Sequence, residues 1–163
     1  MIVKDSMVLI HLAKITLLEK SCDYFKIVII PKKIYEEVLK GKNKGYEDVI
    51  IIENMVKSEK IIVKEIKDQD FIKKANNLNI KEGEAEAVAL YWQEKANYLA
   101  TDDDNVRKKF NILDINIIGT PSIIVSLFKE KLITKEKFLE STKKLKSLGW
   151  FNNTVIDKMM MEL

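Results

Sequence analysis

The chain has 163 residues, 47% of them hydrophobic, which is enough for one domain with a buried core and excludes an intrinsically disordered chain. A single cysteine, Cys22, and a single histidine, His11, exclude a disulfide scaffold within the chain and metal sites built from several cysteines or histidines. The 28 basic and 25 acidic residues give a net charge of +3, too small to indicate nucleic-acid binding by itself. No apolar segment is long enough to span a membrane, and no secretory signal precedes Asp5, so we expect a cytoplasmic protein.

Short β-branched runs alternate with longer helical patterns along the chain, which predicts an α/β fold with a mostly parallel sheet. The predicted strands are residues 2–4, 26–30, 61–66, 98–100 and 115–118. The predicted helices are residues 8–18, 32–40, 46–57, 68–78, 82–95, 104–110, 121–131, 134–148 and 152–163. Within the third helix, residues 49–52 leave a strand as an alternative, because they are all β-branched.

Acidic residues stand near the carboxyl ends of the predicted strands, where open parallel sheets bind their ligands. Asp5 follows the first strand, residues 36–37 lie on the helix after the second, and residues 102–104 follow the fourth; a further group, residues 82–86, opens the helix before the fourth strand. Each group alone also fits a helix cap, a helix-dipole partner or a solvated face. A pocket that gathers carboxylates from all four groups is unfavourable unless a cation fills it. All-oxygen ligands favour Mg²⁺ or Mn²⁺ over zinc or copper.

The helical repeat narrows the choice of residue in one acidic group and leaves it open in another. Ile34 and Val38 lie one turn apart and define a buried stripe, so the adjacent Glu37 is expected to face the cleft. On the next acidic helix, Glu84 and Glu86 flank the buried stripe on opposite sides. The periodicity therefore does not decide which of these two glutamates belongs to the pocket.

Five segments occur in an order that points to a known family. They are residues 5–14 (DSMVLIHLAK), 30–38 (IPKKIYEEV), 83–90 (GEAEAVAL), 101–107 (TDD followed by VR) and 118–120 (IGT). Together they resemble a PIN-domain nuclease, and most closely the archaeal and bacterial branch related to the toxin nucleases of toxin–antitoxin pairs. Met7 departs from that branch, whose members usually carry Ser or Asn at this place.

The resemblance implies a three-layer α/β/α sandwich and a ribonuclease that hydrolyses RNA phosphodiester bonds with Mg²⁺ or Mn²⁺. It divides the chain into a catalytic domain, residues 1–133, and a C-terminal helical extension, residues 134–163, packed on the same domain. By position, the residues that match the catalytic and metal-binding acids of the family are Asp5, Glu37, Glu84 and Asp103, with Asp102 as an extra metal ligand.

The expected contacts to RNA are polar or basic residues close to these acids. They are Ser6, Thr101, Thr120, Arg107 and Lys33. The arginine suits bidentate phosphate binding, and the two threonines would donate hydrogen bonds to phosphate or bound water, with capping of the strand ends as the alternative. His11 is expected to be structural, because a lone histidine has no companion ligands.

The C-terminal extension carries two alternatives of its own. Its apolar residues either pack back on the domain or form a contact with a second copy or an antitoxin-like protein, and we expect a homodimer.

Two other functions compete with the nuclease. One is a catalytically weak PIN-like binding or assembly module, favoured by Met7 and opposed by the intact set of acids. The other is a different metal-dependent phosphoryl-transfer hydrolase. Haloacid-dehalogenase-like phosphatases need a second aspartate where Met7 stands, and ribonuclease H-like nucleases begin with antiparallel strands.

Overall fold

Five short strands form the centre of the computed structural model, which describes residues 1–163. The strands are β1 (Ile2–Lys4), β2 (Val28–Pro31), β3 (Ile62–Lys64), β4 (Tyr98–Ala100) and β5 (Ile117–Ile118). The helices are α1 (Ser6–Lys14), α2 (Leu18–Phe25), α3 (Lys32–Leu39), α4 (Glu47–Lys57), α5 (Gln69–Asn77), α6 (Glu82–Glu94), α7 (Asp104–Arg107), α8 (Phe110–Leu113), α9 (Thr120–Lys129), α10 (Lys135–Ser147) and α11 (Asn153–Met160). A 3₁₀ segment, Lys40–Lys44, follows α3.

The sheet is entirely parallel, with the strand order β3-β2-β1-β4-β5. Its inner strands are short runs buried on both faces, which is the pattern that parallel sheets covered by helices require. The chain runs outward from β1 to β3 and then returns to the other side of β1 with β4. The direction of strand progression therefore reverses between β1 and β4, and open α/β sheets bind ligands at such a point. The three-layer α/β/α fold predicted from the sequence is confirmed.

The register of β1 and β4 sets the starting point of the two loops that carry the expected acids. Lys4 pairs with Ala100, so Asp5 and Thr101 leave the sheet side by side. The Asp5 N–H donates to the carbonyl of Ala100 at 3.0 Å, which continues the ladder one residue beyond the strand.

The predicted helix over residues 8–18 is wrong at its C-terminal end. The helix stops at Lys14, Thr16 adopts a left-handed conformation with φ of 61°, and a separate helix, α2, follows. Lys26, with φ of 64°, ends α2 and delays β2 to Val28. The predicted helix over residues 104–110 is likewise two short helices, α7 and α8. These breaks rest on single left-handed or turn residues, which hydrophobic periodicity does not register.

The C-terminal helices share the core of the preceding residues. Phe138 of α10 is fully buried, and the centroid of its ring lies 4.6 Å from the centroid of the Phe128 ring on α9. Ile156 and Met159 bury the inner face of α11 in the same cluster of 38 buried residues. This packing places the segment between α10 and α11 next to the carboxyl end of the sheet. No helix of the structure has both the length and the apolar composition needed to cross a bilayer.

Candidate active site

Asp5 is a buried acid at the carboxyl end of the central strand. It caps α1, where its Oδ1 accepts a hydrogen bond from the Val8 N–H at 3.0 Å, and only 3% of the residue is exposed. Burial raises the pKa of Asp5 to about 7, with repulsion from Asp102 and Glu84 adding to it and hydrogen bonds from Thr101 and Val8 opposing it. The group is thus a buried carboxyl that holds its proton more tightly than a free one, with other acids as neighbours.

Glu37 and Glu84 extend this acidic group across two helices. The half-buried Glu37 of α3 has a raised pKa, caused first by burial and then by the charge of Glu84 on α6. The charge of Glu84 also raises the pKa of Asp5, so Glu84 lies near both of the other acids. Gly83 leaves room for the Glu37 carboxylate against α6, because a Cβ there would lie 2.7 Å from Oε2 of Glu37.

The choice between Glu84 and Glu86, left open by periodicity, is made by the orientation of α6. Burial raises the pKa of Glu86, which lies among the charges of Lys33, Glu36, Glu37 and Glu82. Its Oε2 is buried without a hydrogen-bond partner. Both glutamates thus lie near Glu37, but only Glu84 is also among the charges that act on Asp5.

Asp103 stands in the loop that follows β4. Its Oδ1 accepts a hydrogen bond from the Val106 N–H at 2.9 Å and caps α7, and its own N–H donates to Oγ1 of Thr101 at 3.1 Å. The buried Thr101 thus touches Asp103 through its hydroxyl oxygen and hydrogen-bonds to Asp5. This one side chain joins the loops that follow β1 and β4.

Asp102 connects four parts of the chain. Its Oδ1 accepts from the Thr120 N–H at 2.8 Å, its Oδ2 accepts from the Thr120 hydroxyl, and the same Oδ2 lies 2.7 Å from Nδ1 of His11. Its carbonyl oxygen accepts from Nε1 of Trp150 at 3.0 Å. Only 2% of Asp102 is exposed. The carboxylate therefore bonds to His11 of α1 and Thr120 of α9, while the carbonyl holds the C-terminal segment, and a metal ion would have to compete with the bonds of the carboxylate.

Two members of that network were outside the reach of sequence reasoning. His11 and Trp150 lie 91 and 48 residues from Asp102 in the sequence. Their rings also pack together, with centroids 6.2 Å apart. No local pattern marks such partners, and the sequence did not indicate that His11 contacts Asp102.

The other residues expected to contact RNA lie near the acids, and two of them already form a hydrogen bond or an ion pair within the chain. The guanidinium of Arg107 donates to the Thr101 carbonyl at 3.2 Å, and Nη1 would lie 2.8 Å from a Cβ on Gly119. Nζ of Lys33 is 2.8 Å from Oε2 of Glu82, and this contact raises the pKa of the lysine. Ser6 is the half-buried first residue of α1.

The oxygen atoms of these acids are the type of ligand that a hard divalent cation prefers. All are carboxylates, which Mg²⁺ and Mn²⁺ prefer. Burial is the main cause of the raised pKa values of Asp5 and Glu37, and repulsion from neighbouring acids adds to it. No three of the potential ligands stand close enough to chelate one ion in the observed side-chain positions. The residues are therefore of the right chemical type to bind a metal ion. Binding of one ion by three of them requires their side chains to rotate inward.

The comparison with protein families agrees with this arrangement. The family model DUF3368, described as a PIN domain, matches residues 1–163, and so includes the C-terminal helices. No curated protein and no solved structure shows significant similarity to the chain. On the strength of a match over its whole length, the chain belongs to the PIN-domain family.

Proposed function

We propose that this PIN domain is a divalent-metal-dependent endoribonuclease that hydrolyses RNA phosphodiester bonds. PIN domains are generally nucleases. The observation that carries the proposal is the buried carboxyl of Asp5, with its raised pKa, at the carboxyl edge where strand progression reverses. Glu84 and Glu37 extend the group toward solvent, which gives a substrate phosphate a route to it.

In this proposal the ligands of Mg²⁺ or Mn²⁺ are Asp5, Glu37, Glu84 and Asp103, with Asp102 as the additional candidate. The ion supplies an activated water and stabilises negative charge on the phosphate. Arg107 is anchored on the Thr101 carbonyl by one nitrogen, which leaves its other N–H groups for a phosphate oxygen. Lys33 would release Glu82 to bind the RNA backbone, and Ser6 and Thr101 would orient phosphate or water beside Asp5.

The test is cleavage of a mixed RNA pool by the purified protein with Mn²⁺ and with EDTA. We expect Asp5→Asn and Glu37→Gln to abolish Mn²⁺-dependent cleavage, because each removes a charged ligand without changing the side-chain shape. The matched control is Glu36→Gln, on the exposed neighbour of Glu37, which should cleave like the wild type. Equal survival of the RNA with wild type and Asp5→Asn, together with no divalent-ion binding by the wild type, would refute the nuclease.

A second candidate is a PIN-like binding or assembly module with weak catalysis. The observation in its favour is that the acids are not grouped to hold an ion as they stand. It predicts RNA binding that is unchanged by EDTA and by Asp5→Asn, with no cleavage. Filter binding in parallel with the cleavage assay separates the two functions.

We further propose a toxin-like role in the cytoplasm, with an antitoxin-like protein partner and a homodimeric state. Support comes from the end of α11 and the residues after it, where Met160, Met161 and Leu163 are exposed while Ile156 and Met159 are buried in the chain itself. Induced expression of the wild type, but not of Asp5→Asn, should arrest growth. Met161→Glu should lower the mass measured by light scattering, and an unchanged monomeric mass in both proteins would exclude the dimer.

A further inference from the structure

A cavity of about 530 Å³ lies between α9 and the C-terminal segment, beside the loop that carries the aspartates. Its volume is within the range of about 300–1,000 Å³ that small-molecule sites occupy. Asp102 and Asp104, the neighbours of Asp103, belong to its wall. The cavity therefore adjoins the candidate active site and is separate from the acidic group around Asp5.

One wall of the cavity is a rigid aromatic surface. Trp150 is 47% exposed, yet its indole N–H is tied to the Asp102 carbonyl at 3.0 Å. Phe151 and Pro121 continue the apolar wall on either side. An exposed ring with a fixed orientation loses little freedom when a flat ligand stacks on it, and nucleobases are such ligands.

The rest of the wall provides polar groups and little net charge. The hydroxyls of Ser122 and Ser126 line the cavity from α9. Lys129 also belongs to the wall, but its Nζ is already paired with Glu162 at 2.8 Å. Hydroxyl groups can donate to and accept from the edge of a base. A nearly neutral interior suits a neutral base better than a phosphate group.

Arg107 links this cavity to the acids. Its side chain lines the cavity and donates to the Thr101 carbonyl at 3.2 Å, and Thr101 in turn touches Asp103 and Asp5. A phosphate bound by Arg107 would thus lie between the cavity and the carboxylates. A nucleotide bound here would have its phosphate on the arginine and its base on Trp150, which both line the cavity.

We propose that the cavity is a nucleobase subsite that binds one base of the RNA strand, stacked on Trp150, next to the phosphate at the acids. The proposal rests on the proposed nuclease function, because the site would position RNA for that reaction. It assigns the C-terminal segment a part in substrate binding in addition to its packing role.

The test uses the two indole N–H signals of the ¹⁵N-labelled full chain in EDTA, where no cleavage occurs. The probes are the four ribonucleoside 5′-monophosphates and inorganic phosphate. We expect at least one nucleotide to shift the Trp150 signal saturably, with a Kd on the order of 1 mM, while the signal of Trp92 stays in place and inorganic phosphate has no effect. An unmoved Trp150 signal with all four nucleotides, or an equal shift with phosphate alone, would overturn the subsite.

A charge-matched pair of variants adds a second readout. Ser122→Glu places a negative charge at the exposed first turn of α9, where the helix dipole tolerates it, and should weaken nucleotide binding about tenfold or more. Ser58→Glu makes the same change on an exposed residue at the end of α4 and should bind like the wild type. Equal affinities in the two variants would contradict the proposal. RNA cleavage without any nucleotide shift at Trp150 would refute the subsite alone, whereas nucleotide binding without cleavage would refute the nuclease alone.

Discussion

Replacing Asp5 by asparagine should stabilise the metal-free protein, and more so as the pH rises. The pKa of Asp5 is raised from 3.8 to about 7 in the folded state. The folded state therefore keeps a proton that the unfolded state has released, and wild-type stability falls as the pH rises from about 4 to 7. Asparagine has no such titration and is an equally good helix cap for α1.

The size of the effect follows from the two pKa values. At 1.36 kcal/mol for each pH unit between them, burying the ionised Asp5 costs about 4 kcal/mol above pH 7 and about 1.6 kcal/mol at pH 5. The free energy of unfolding of Asp5→Asn, relative to wild type, should thus rise by about 3 kcal/mol between pH 5 and pH 8.

The assay is urea unfolding in EDTA at pH 5 and pH 8, followed by circular dichroism. Glu36→Gln is the control, since Glu36 is exposed, and its stability relative to wild type should not depend on pH. Saturating Mn²⁺ should narrow the stability difference between wild type and Asp5→Asn at pH 8. Only the wild type keeps the Asp5 ligand, and an ion at 100 times its Kd adds about 2.7 kcal/mol. A relative stability of Asp5→Asn that is equal at both pH values would refute the reasoning.

Three further substitutions test the packing around the site and in the core. Gly83→Ala should displace the flexible carboxylate of Glu37, because the added Cβ would lie 2.7 Å from its Oε2. Calorimetry should show weaker Mn²⁺ binding with no loss of thermal stability. Unchanged Mn²⁺ binding would contradict the placement of Glu37 beside Gly83. Lys4→Met should raise the free energy of unfolding at pH 7 by about 3 kcal/mol, because burial lowers the pKa of the lysine from 10.5 to about 8. That gain should shrink as the pH rises from 8 toward 10.5, and a constant gain would argue against a buried charge. Phe138→Ala should lower the free energy of unfolding in urea by about 3–5 kcal/mol. The control, Phe110→Ala at a 49% exposed position, should change it little. Equal losses in the two variants would contradict the packing described for Phe138.

The family could be recognised, and the acids of the candidate site could be predicted, from the sequence alone because the patterns that mark them are local. Asp5 and residues 102–104 stand directly after strands, residues 36–37 and 82–86 lie on helices next to strands, and a parallel sheet brings its strand ends to one edge. Glu37 could be chosen over its neighbour because the helical repeat relates it to a buried stripe only a few residues away. The same reasoning was silent for Glu84 and Glu86, whose separation depends on how α6 is rotated against β1 and α3.

The helix boundaries show the same limit at a smaller scale. The break between α1 and α2 depends on the left-handed Thr16, and the delayed start of β2 depends on Lys26. Each of these features depends on the backbone conformation of a single residue, which hydrophobic patterning does not encode. Residues 46–57, where a strand was an alternative, form a helix (Glu47–Lys57) because Val49 and Ile52, three residues apart, share its buried face.

What the sequence by itself determined is the α/β class, the parallel sheet and the acids Asp5, Glu37, Glu84 and Asp103 as the residues to examine. Composition, strand pattern and helical period are properties of neighbouring residues, and they survive without a folded chain. Only the tertiary structure decided that Asp102 is tied to His11, Thr120 and Trp150, and that the C-terminal segment walls a cavity beside the acids. Hydrogen bonds between residues 48 and 91 positions apart exist only after the sheet and its helices have packed, and no local pattern specifies them.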